Sequence, residues 1–237
     1  MPTTFFGWVW FLLQKYGVLF LRGTGITMLV AVSGTLLGFL LGLLVAIART
    51  VEPAQGAGKG RRAAIKVLHG IMNVYIQVFR GTPMIVQAMI IYYGAMQYLG
   101  ITMNEIAAAV LIVSVNTGAY MAEIIRGGIL SIDKGQTEAT HSIGLTHWQT
   151  MTGVVLPQAV RNILPALGNE FVTIIKESSI VSVIGIADLM YRAKGVIAKT
   201  YNSLECLAIA AIIYFILTFI GGRLIALMER KMSHGRK

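Results

Sequence analysis

Long apolar runs are the feature of this sequence that most limits what it can fold into. A helix crosses a hydrocarbon core of about 30 Å with roughly 20 apolar residues. Four or five runs in the chain reach that length, and hydrophobic residues make up 56% of the 237 positions. We therefore predict an all-α polytopic membrane protein with about five transmembrane helices, embedded in a lipid bilayer.

The order of the apolar runs predicts where these helices lie. The second run is too long for one straight crossing and is interrupted at Arg80–Pro83, where Pro83 removes a helical hydrogen bond and predicts a kink or break. The five predicted spans cover residues 26–47, 64–99, 105–125, 164–183 and 204–228.

The stretch before the first span has a different character. Residues 5–21 are interrupted by polar side chains and predict an interfacial helix with Trp8 and Trp10 at the headgroup level. We expect Gly23–Gly25 to break this helix, although the sequence leaves open whether it joins the first span.

A stripe of small residues follows within the first span. Gly34, Gly38 and Gly42 recur at four-residue spacing, which lets another helix approach closely. The partner helix could belong to this chain or to a second subunit.

The net charge of +10 is distributed in a way that favours a membrane orientation over nucleic-acid binding. If the spans alternate, three basic groups lie on one side, and the positive-inside rule makes that side cytoplasmic. We expect the N-terminus outside and the C-terminus inside. The single cysteine, Cys206, is expected to be a packing residue. The basic groups are Arg49, Lys59, Arg61, Arg62 and Lys66; Arg126, Lys134 and Arg161; and Arg223, Arg230, Lys231, Arg236 and Lys237.

Residues 131–161, here called the polar segment, interrupt the apolar pattern. Asp133 with Gln136 predicts a helix start, Gly144 predicts a left-handed helix stop, and Thr146 with Gln149 predicts a second start. The segment is therefore predicted to form two short helices joined at Gly144, the second running towards Leu156 and Pro157. An ordinary connector is the alternative interpretation.

The polar segment also carries a family resemblance. Glu138-Ala139-Thr140, Gly144 six residues after Glu138, and Val155-Leu156-Pro157 resemble the EAA loop of ABC importer permeases. The third position of the triplet is Thr140, where the family pattern has alanine. Wider matches resemble the polar amino acid uptake branch, and they cover most of the chain after Gly70; they are residues 134–139, 156–161, 79–83, 168–171 and 181–185.

This resemblance implies a fold, a function and partners. It implies the type I ABC importer permease fold in a single transmembrane domain over residues 1–237. Within that domain we expect an N-terminal segment (1–25), spans one to three (26–125), a cytoplasmic coupling loop (126–161), and spans four and five with a basic tail (162–237). The residues implied to couple to a separate ATP-binding subunit are Glu138, Ala139, Thr140, Gly144, Leu156 and Pro157.

Other partners implied by the resemblance are a second permease subunit and an extracytoplasmic amino-acid-binding protein. ATP and Mg are expected in the ATP-binding subunit, with no cofactor and no enzymatic activity in this chain. The stretch around Gly58-Lys59 supports that expectation, because Gly60 and Pro53 occupy positions where a nucleotide-binding loop needs Ser or Thr and Gly.

Polar residues within the predicted spans are candidates for a substrate pathway. Ionisable groups at membrane depth are costly and usually face a bundle interior or an aqueous cavity. The polar residues of the fourth span could instead form a structural ion pair, and Glu123 and Arg126 could form an intrahelical pair. Arg80 could instead anchor its helix at the membrane interface, and for Arg80 we favour that interpretation. The candidates are Glu170, Thr173, Lys176 and Glu177 on the fourth span, Asn116, Tyr120 and Glu123 on the third, and Arg80.

Two other functional classes compete with the importer permease. An ion-coupled secondary transporter or channel would use the same acidic stripe without an ATPase, and a membrane enzyme has no visible nucleophile or metal site. His141 and His147 lack the spacing of a metal pair and are expected at the surface. The sequence does not specify which amino acid is carried, or whether the second permease subunit is identical.

Overall fold

The computed structural model describes residues 2–51, 53, 56 and 58–233, with side chains through Lys231. This part of the chain is helical and contains no strand. The predicted all-α class is therefore confirmed, while Arg236 and Lys237 of the basic tail lie outside the described residues. The helices are α1 (Phe5–Thr50), α2 (Lys59–Gly81), α3 (Met84–Leu99), α4 (Glu105–Leu130), α5 (Lys134–Ser142), α6 (His147–Thr150), α7 (Leu156–Glu177), α8 (Leu189–Thr200) and α9 (Ser203–Ser233), with a π-helical turn at Met151–Val155 and a 3₁₀ helix at Ser178–Ile184.

Three of the described helices, α1, α4 and α9, are long and apolar enough to cross a membrane. Helices α2 and α3 meet the same criterion as a pair that is bent by 113° between them. Helix α7, predicted as the fourth span, has 22 residues and so reaches about 33 Å. It carries Arg161, Glu170, Lys176 and Glu177 and is too polar to meet that criterion by itself.

Helix α1 runs without interruption through Gly23–Gly25, so the predicted break there is wrong. The helix has 46 residues and is about 69 Å long. Glycine inside a helix costs about 1 kcal/mol relative to alanine. Packing offsets that cost, because a Cβ on Gly23 would lie 2.8 Å from both the Asp188 carbonyl oxygen and the Leu189 Cα. Residues 5–21 therefore form one helix with the first span.

The glycine stripe of α1 packs directly on α4. A Cβ on Gly34 would lie 2.5 Å from Val113 Cγ1, and a Cβ on Gly42 would lie 2.5 Å from Met121 Cβ. Gly38 faces Thr117 in the same way, at 2.8 Å. The partner of the stripe is thus a helix of the same chain, which answers the question that the sequence left open.

The break between α2 and α3 lies where Pro83 predicts it. Helix α2 ends at Gly81, Thr82 is extended with φ −123° and ψ 150°, and α3 begins at Met84. A residue before proline is biased towards this extended conformation because the proline ring crowds its backbone. The predicted second span is therefore two helices rather than one kinked helix.

A second packing unit forms between the N-terminal half of α1 and helices α8 and α9. Buried Leu12 and Phe20 pack with Leu189 and Cys206, so Cys206 is a packing residue as predicted. Asp188 begins α8 by accepting a hydrogen bond from the Tyr191 N–H at 2.8 Å. The connection between the predicted fourth and fifth spans, residues 184–203, is therefore largely the ordered helix α8.

Candidate functional site

The polar segment folds as two short helices joined at Gly144. Asp133 Oδ1 accepts a hydrogen bond from the Gly135 N–H at 2.7 Å, so Asp133 caps α5 as predicted. Asp133 and Gln136 do not form a capping box. The Gln136 N–H donates to the Asp133 backbone carbonyl oxygen at 3.0 Å instead of to the Asp133 side chain. Gly144 has φ +84°, which confirms the left-handed stop.

The second helix of the polar segment begins with the predicted capping box. Thr146 Oγ1 accepts from the Gln149 N–H at 3.3 Å, and the Thr146 N–H donates to Gln149 Oε1 at 2.9 Å. Helix α6 then continues through the π-helical turn into α7 without leaving helical conformation. Leu156 and Pro157 consequently lie at the start of α7, directly after the π-helical turn.

A buried pair of threonine hydroxyls joins α5 to α6. Thr150 Oγ1 donates to Thr140 Oγ1 at 2.9 Å, and Thr140 Oγ1 in turn donates to the Thr137 carbonyl oxygen at 2.8 Å. Both hydroxyls are therefore satisfied although both side chains are buried. Alanine at position 140 could not make this link, so the departure from the EAA triplet has a structural role here.

The outer face of the polar segment is open to solvent. Glu138, Ala139 and Gly144 are exposed, as are two large apolar side chains, Ile143 at 76% and Trp148 at 73%. Exposed apolar side chains of this size on an otherwise polar surface are typical of contact sites. The sequence analysis did not single out Ile143 or Trp148.

Polar groups also converge at the α2–α3 break. Gln87 Nε2 donates to the Phe79 carbonyl oxygen at 3.0 Å and to the Thr82 carbonyl oxygen at 2.9 Å, which supplies partners for carbonyls that the break leaves without helical ones. Gln87 Oε1 accepts from Asn116 Nδ2 at 2.8 Å. Asn116, a predicted pathway residue, thus links α4 to the start of α3 by a hydrogen bond.

About two turns along α4 from Asn116, Glu123 binds several arginines. Its carboxylate accepts from Arg126 Nη2 at 2.8 Å, which confirms the predicted intrahelical pair, and it contacts Arg49 of α1. Arg80 of α2 lies 3.9 Å from Glu123 Oε2, and its guanidinium is 5.4 Å from the centre of the Tyr120 ring. We call Arg80, Tyr120 and Glu123, together with Glu170 of α7, the helix-break cluster.

Glu170 belongs to this cluster through its electrostatic interaction with Arg80, and it also interacts electrostatically with Glu177, about two turns further along α7. Arg80, 43% exposed, therefore interacts electrostatically with acids on both α4 and α7. Lys176 is exposed and has no salt bridge among the described residues, and Thr173 is half-buried. The structure thus draws most of the predicted pathway residues together and leaves Lys176 apart.

Sequence reasoning missed two members of this region, Gln87 and Arg49. Gln87 is strongly polar, lies in an apolar stretch and follows Pro83 by four positions, which is a usable signal for a side chain that hydrogen-bonds the carbonyls freed by a helix break.

His141 and His147 have ring centres 6.4 Å apart on the exposed polar segment. The described residues contain no cluster of three or more side chains suited to a metal ion.

Comparison with known proteins assigns this architecture. Residues 56–234 match the family model described as the binding-protein-dependent transport system inner membrane component. The chain is 41% identical over 217 residues to the arginine transport system permease protein ArtQ of Bacillus subtilis, covering 90% of this chain and 92% of that protein. It is 37% identical over 216 residues to the glutamine transport system permease protein GlnP of Escherichia coli, covering 91% and 93%.

A solved structure agrees with these relatives. The chain superimposes on the crystal structure of an amino acid ABC transporter with histidines with a TM-score of 0.85 and 40% identity, covering 98% of this chain and all of that one. The family model, the relatives and the superposition each extend across the helix-break cluster and the polar segment. The chain belongs to the family of inner-membrane components of binding-protein-dependent ABC transport systems.

Proposed function

We propose that this chain forms the translocation pathway of an ATP-binding cassette importer for a polar amino acid. The chain is a permease subunit and not itself an enzyme, so the energy must come from a separate ATP-binding subunit that holds ATP and Mg. The named relatives carry arginine or glutamine, which share an α-ammonium and an α-carboxylate with every other amino acid. The proposal assigns recognition of these shared charges to the helix-break cluster.

The observation that carries the proposal is that Arg80 interacts electrostatically with two acids on different helices, Glu123 of α4 and Glu170 of α7. A zwitterion that enters a membrane bundle needs groups that replace water around both of its charges. Arg80 offers a guanidinium for the carboxylate beside the N-terminus of α3, whose free N–H groups also favour an anion. Glu170 offers a carboxylate for the ammonium. Tyr120, Glu123, Asn116, Thr173, Lys176 and Glu177 complete the proposed pathway.

The polar segment is proposed to receive the ATP-binding subunit. Its two capped helices and the Thr140–Thr150 hydrogen bond hold Glu138, Ala139 and Gly144 in one arrangement, and exposed Ile143 and Trp148 give an apolar contact. Leu156 and Pro157 connect this surface to α7. The proposed assembly has a second permease subunit beside this one and an extracytoplasmic binding protein on the side opposite the polar segment, with the N-terminus outside and the C-terminus in the cytoplasm.

The pathway is tested in the complex reconstituted with its ATP-binding subunit and binding protein. Glu170→Gln and Arg80→Gln should each raise the amino-acid concentration needed for half-maximal ATPase stimulation by about tenfold, because a charged hydrogen bond is worth roughly 1.5–3 kcal/mol. The control is Glu105→Gln, which makes the same change on an exposed residue at the start of α4. Unchanged half-maximal concentrations in both test variants would refute the pathway.

Coupling is tested with two glycines of the polar segment. Gly144→Ala introduces a side chain at φ +84° and should separate ATP hydrolysis from uptake, lowering the amino acid moved per ATP at least several-fold. Gly153→Ala is the matched control, since a Cβ there meets no atom within 4 Å. Uptake by the purified chain without any ATP-binding subunit would instead favour an ion-coupled transporter or channel.

A further inference from the structure

A cavity beside Glu123 is not used by the proposed pathway. It has a volume of about 160 Å³ and lies between the ends of α1 and α4, lined by Ala46, Arg49, Thr50, Arg126, Ile129 and Leu130. A single ordered water needs only about 10–15 Å³ of such space. The cavity is therefore large enough for a chemical group of several atoms.

The charges around this cavity do not balance. Arg49 and Arg126, which line the cavity, share the one carboxylate of Glu123, and Arg80 lies 3.9 Å from the same carboxylate, so guanidiniums outnumber the acid here. Both α1 and α4 end here, and the partial negative charge of helix C-termini offsets only part of that excess. The cavity consequently attracts an anion.

The two cavity arginines also retain donors. Glu123 engages only Nη1 of Arg49, and Nε and Nη2 of Arg126. A guanidinium carries five N–H donors in a fixed fork that suits phosphate oxygens. Each arginine can thus keep its contact with Glu123 while it donates to a phosphate group in the cavity.

The remaining lining and the position of the cavity indicate which phosphate compound fits. Ala46, Ile129 and Leu130 make the walls largely apolar, so the ligand needs an apolar part next to its anionic group. Two of the membrane-spanning helices end at the cavity, at Thr50 and Leu130, which places it where lipid headgroups meet water. Basic pockets between membrane helices bind anionic lipid headgroups.

We propose that this cavity binds the phosphate of an anionic phospholipid, held by Arg49 and Arg126, with the glycerol and upper acyl region against Ala46, Ile129 and Leu130. The site adjoins the proposed pathway at Glu123, but its cavity lies towards Arg49 and Arg126, which the pathway does not use. The proposed lipid contacts Leu130, the residue directly before the polar segment. It therefore stabilises the end of α4, to which the polar segment is attached.

The test is a binding measurement on the full-length chain, purified in its complex in a neutral detergent. Native mass spectrometry counts the molecules retained during titration with phosphatidylglycerol, phosphatidylcholine or soluble glycerol 1-phosphate. Because each arginine near an anionic headgroup contributes about 1 kcal/mol, phosphatidylglycerol should bind about 30-fold more tightly than phosphatidylcholine. Glycerol 1-phosphate should show no saturable binding.

Variants locate the site. Arg126→Gln should weaken phosphatidylglycerol binding about fivefold. Leu130→Glu provides an independent variant on a mostly exposed residue, where a carboxylate at the cavity should weaken binding at least as much without disturbing the Glu123 contacts. Lys134→Gln is the control: it removes a nearby exposed positive charge outside the cavity and should change binding less than twofold.

Three results would overturn the proposal. They are equal affinity for phosphatidylglycerol and phosphatidylcholine, saturable binding of glycerol 1-phosphate that matches the lipid, or equal weakening by Lys134→Gln and Leu130→Glu. The last would show diffuse attraction by the basic surface. Because the readout is lipid retention, it is independent of whether Arg80 and Glu170 recognise an amino acid.

Discussion

Helix α4 presents two contrasting faces to its neighbours. Towards α1 it packs against Gly34, Gly38 and Gly42 so closely that no side chain fits between the backbones. Towards the α2–α3 break it carries buried Asn116, Tyr120 and partly exposed Glu123, and the contacts there are hydrogen bonds and ion pairs, one of which reaches Arg49 at the end of α1. The α1 face gives the bundle a fixed frame, and the other face holds charged groups that water or a solute can reach.

The largest expected effect is on the glycine face. Gly42→Ala would place a Cβ 2.5 Å from Met121 Cβ and 2.9 Å from the Ala122 N and Gly118 O backbone atoms, so backbone must move. We expect a loss of about 2–3 kcal/mol in the free energy of unfolding, in the range for overpacked cores. Gly25→Ala, in the same helix with no atom within 4 Å, should stabilise slightly. Chemical unfolding in detergent measures both, and equal behaviour of the two variants would contradict the close packing of α1 on α4.

A smaller loss is expected at the break. Gln87→Ala removes the donor shared by the Phe79 and Thr82 carbonyl oxygens, and it leaves Asn116 Nδ2 with only its longer contact, 3.3 Å to the Phe79 carbonyl oxygen. Unsatisfied buried polar groups cost about 1–3 kcal/mol, so we expect a loss of about 2 kcal/mol. Gln97→Ala, on an exposed position of the same helix, is the control and should cost less than about 0.5 kcal/mol. A neutral Gln87→Ala would mean that water satisfies the break as well as the side chain does.

Removing the charge of Glu123 should cost less, because its arginine partners are partly exposed. Glu123→Gln removes the carboxylate that Arg49, Arg80 and Arg126 share, and we expect a loss of about 1 kcal/mol at low salt. Thermal unfolding at 0.05 M and 0.5 M salt measures it, and the difference from wild type should shrink at high salt as screening weakens the repulsion. A difference that does not depend on salt would indicate packing rather than charge.

The smallest effect is expected in the polar segment. Thr140→Ala restores the family's alanine but leaves the buried Thr150 hydroxyl without its acceptor, so we expect a loss of up to about 1 kcal/mol. Adding Thr150→Ala should recover part of the loss, because both hydroxyls are then gone. A double variant that is worse by the sum of the two single changes would show that the hydroxyls act independently.

The same contrast explains what could be predicted from the sequence. Local chemistry was sufficient where a single residue decides the backbone, as Pro83 does at the break and Gly144 does in the polar segment. The capping box of Thr146 and Gln149 was predictable because both partners are three residues apart. Family resemblance gave the fold and the transport function.

Contacts between residues that are far apart in the sequence could not be predicted from local sequence patterns. Gly23 is in a continuous helix because Asp188 and Leu189, far away in sequence, pack against it. The role of Gln87 depends on carbonyls freed by the break, and the hydrogen bond between Thr140 and Thr150 depends on how α5 folds back on α6. The sites assigned to coupling and to the substrate remain predictions until the variants above are measured.

The uninterrupted helical path from His147 through the π-helical turn to Glu177 has a mechanical consequence. It spans 31 residues, about 46 Å, with the polar segment, proposed to receive the ATP-binding subunit, at one end and Glu170 and Glu177 at the other. A tilt of about 10° at its base would swing the far end by about 8 Å, the width of a side chain. A helix that tilts as a rigid body would move Glu170 and Glu177 towards Arg80 or away from it, with no other element needed to transmit the motion.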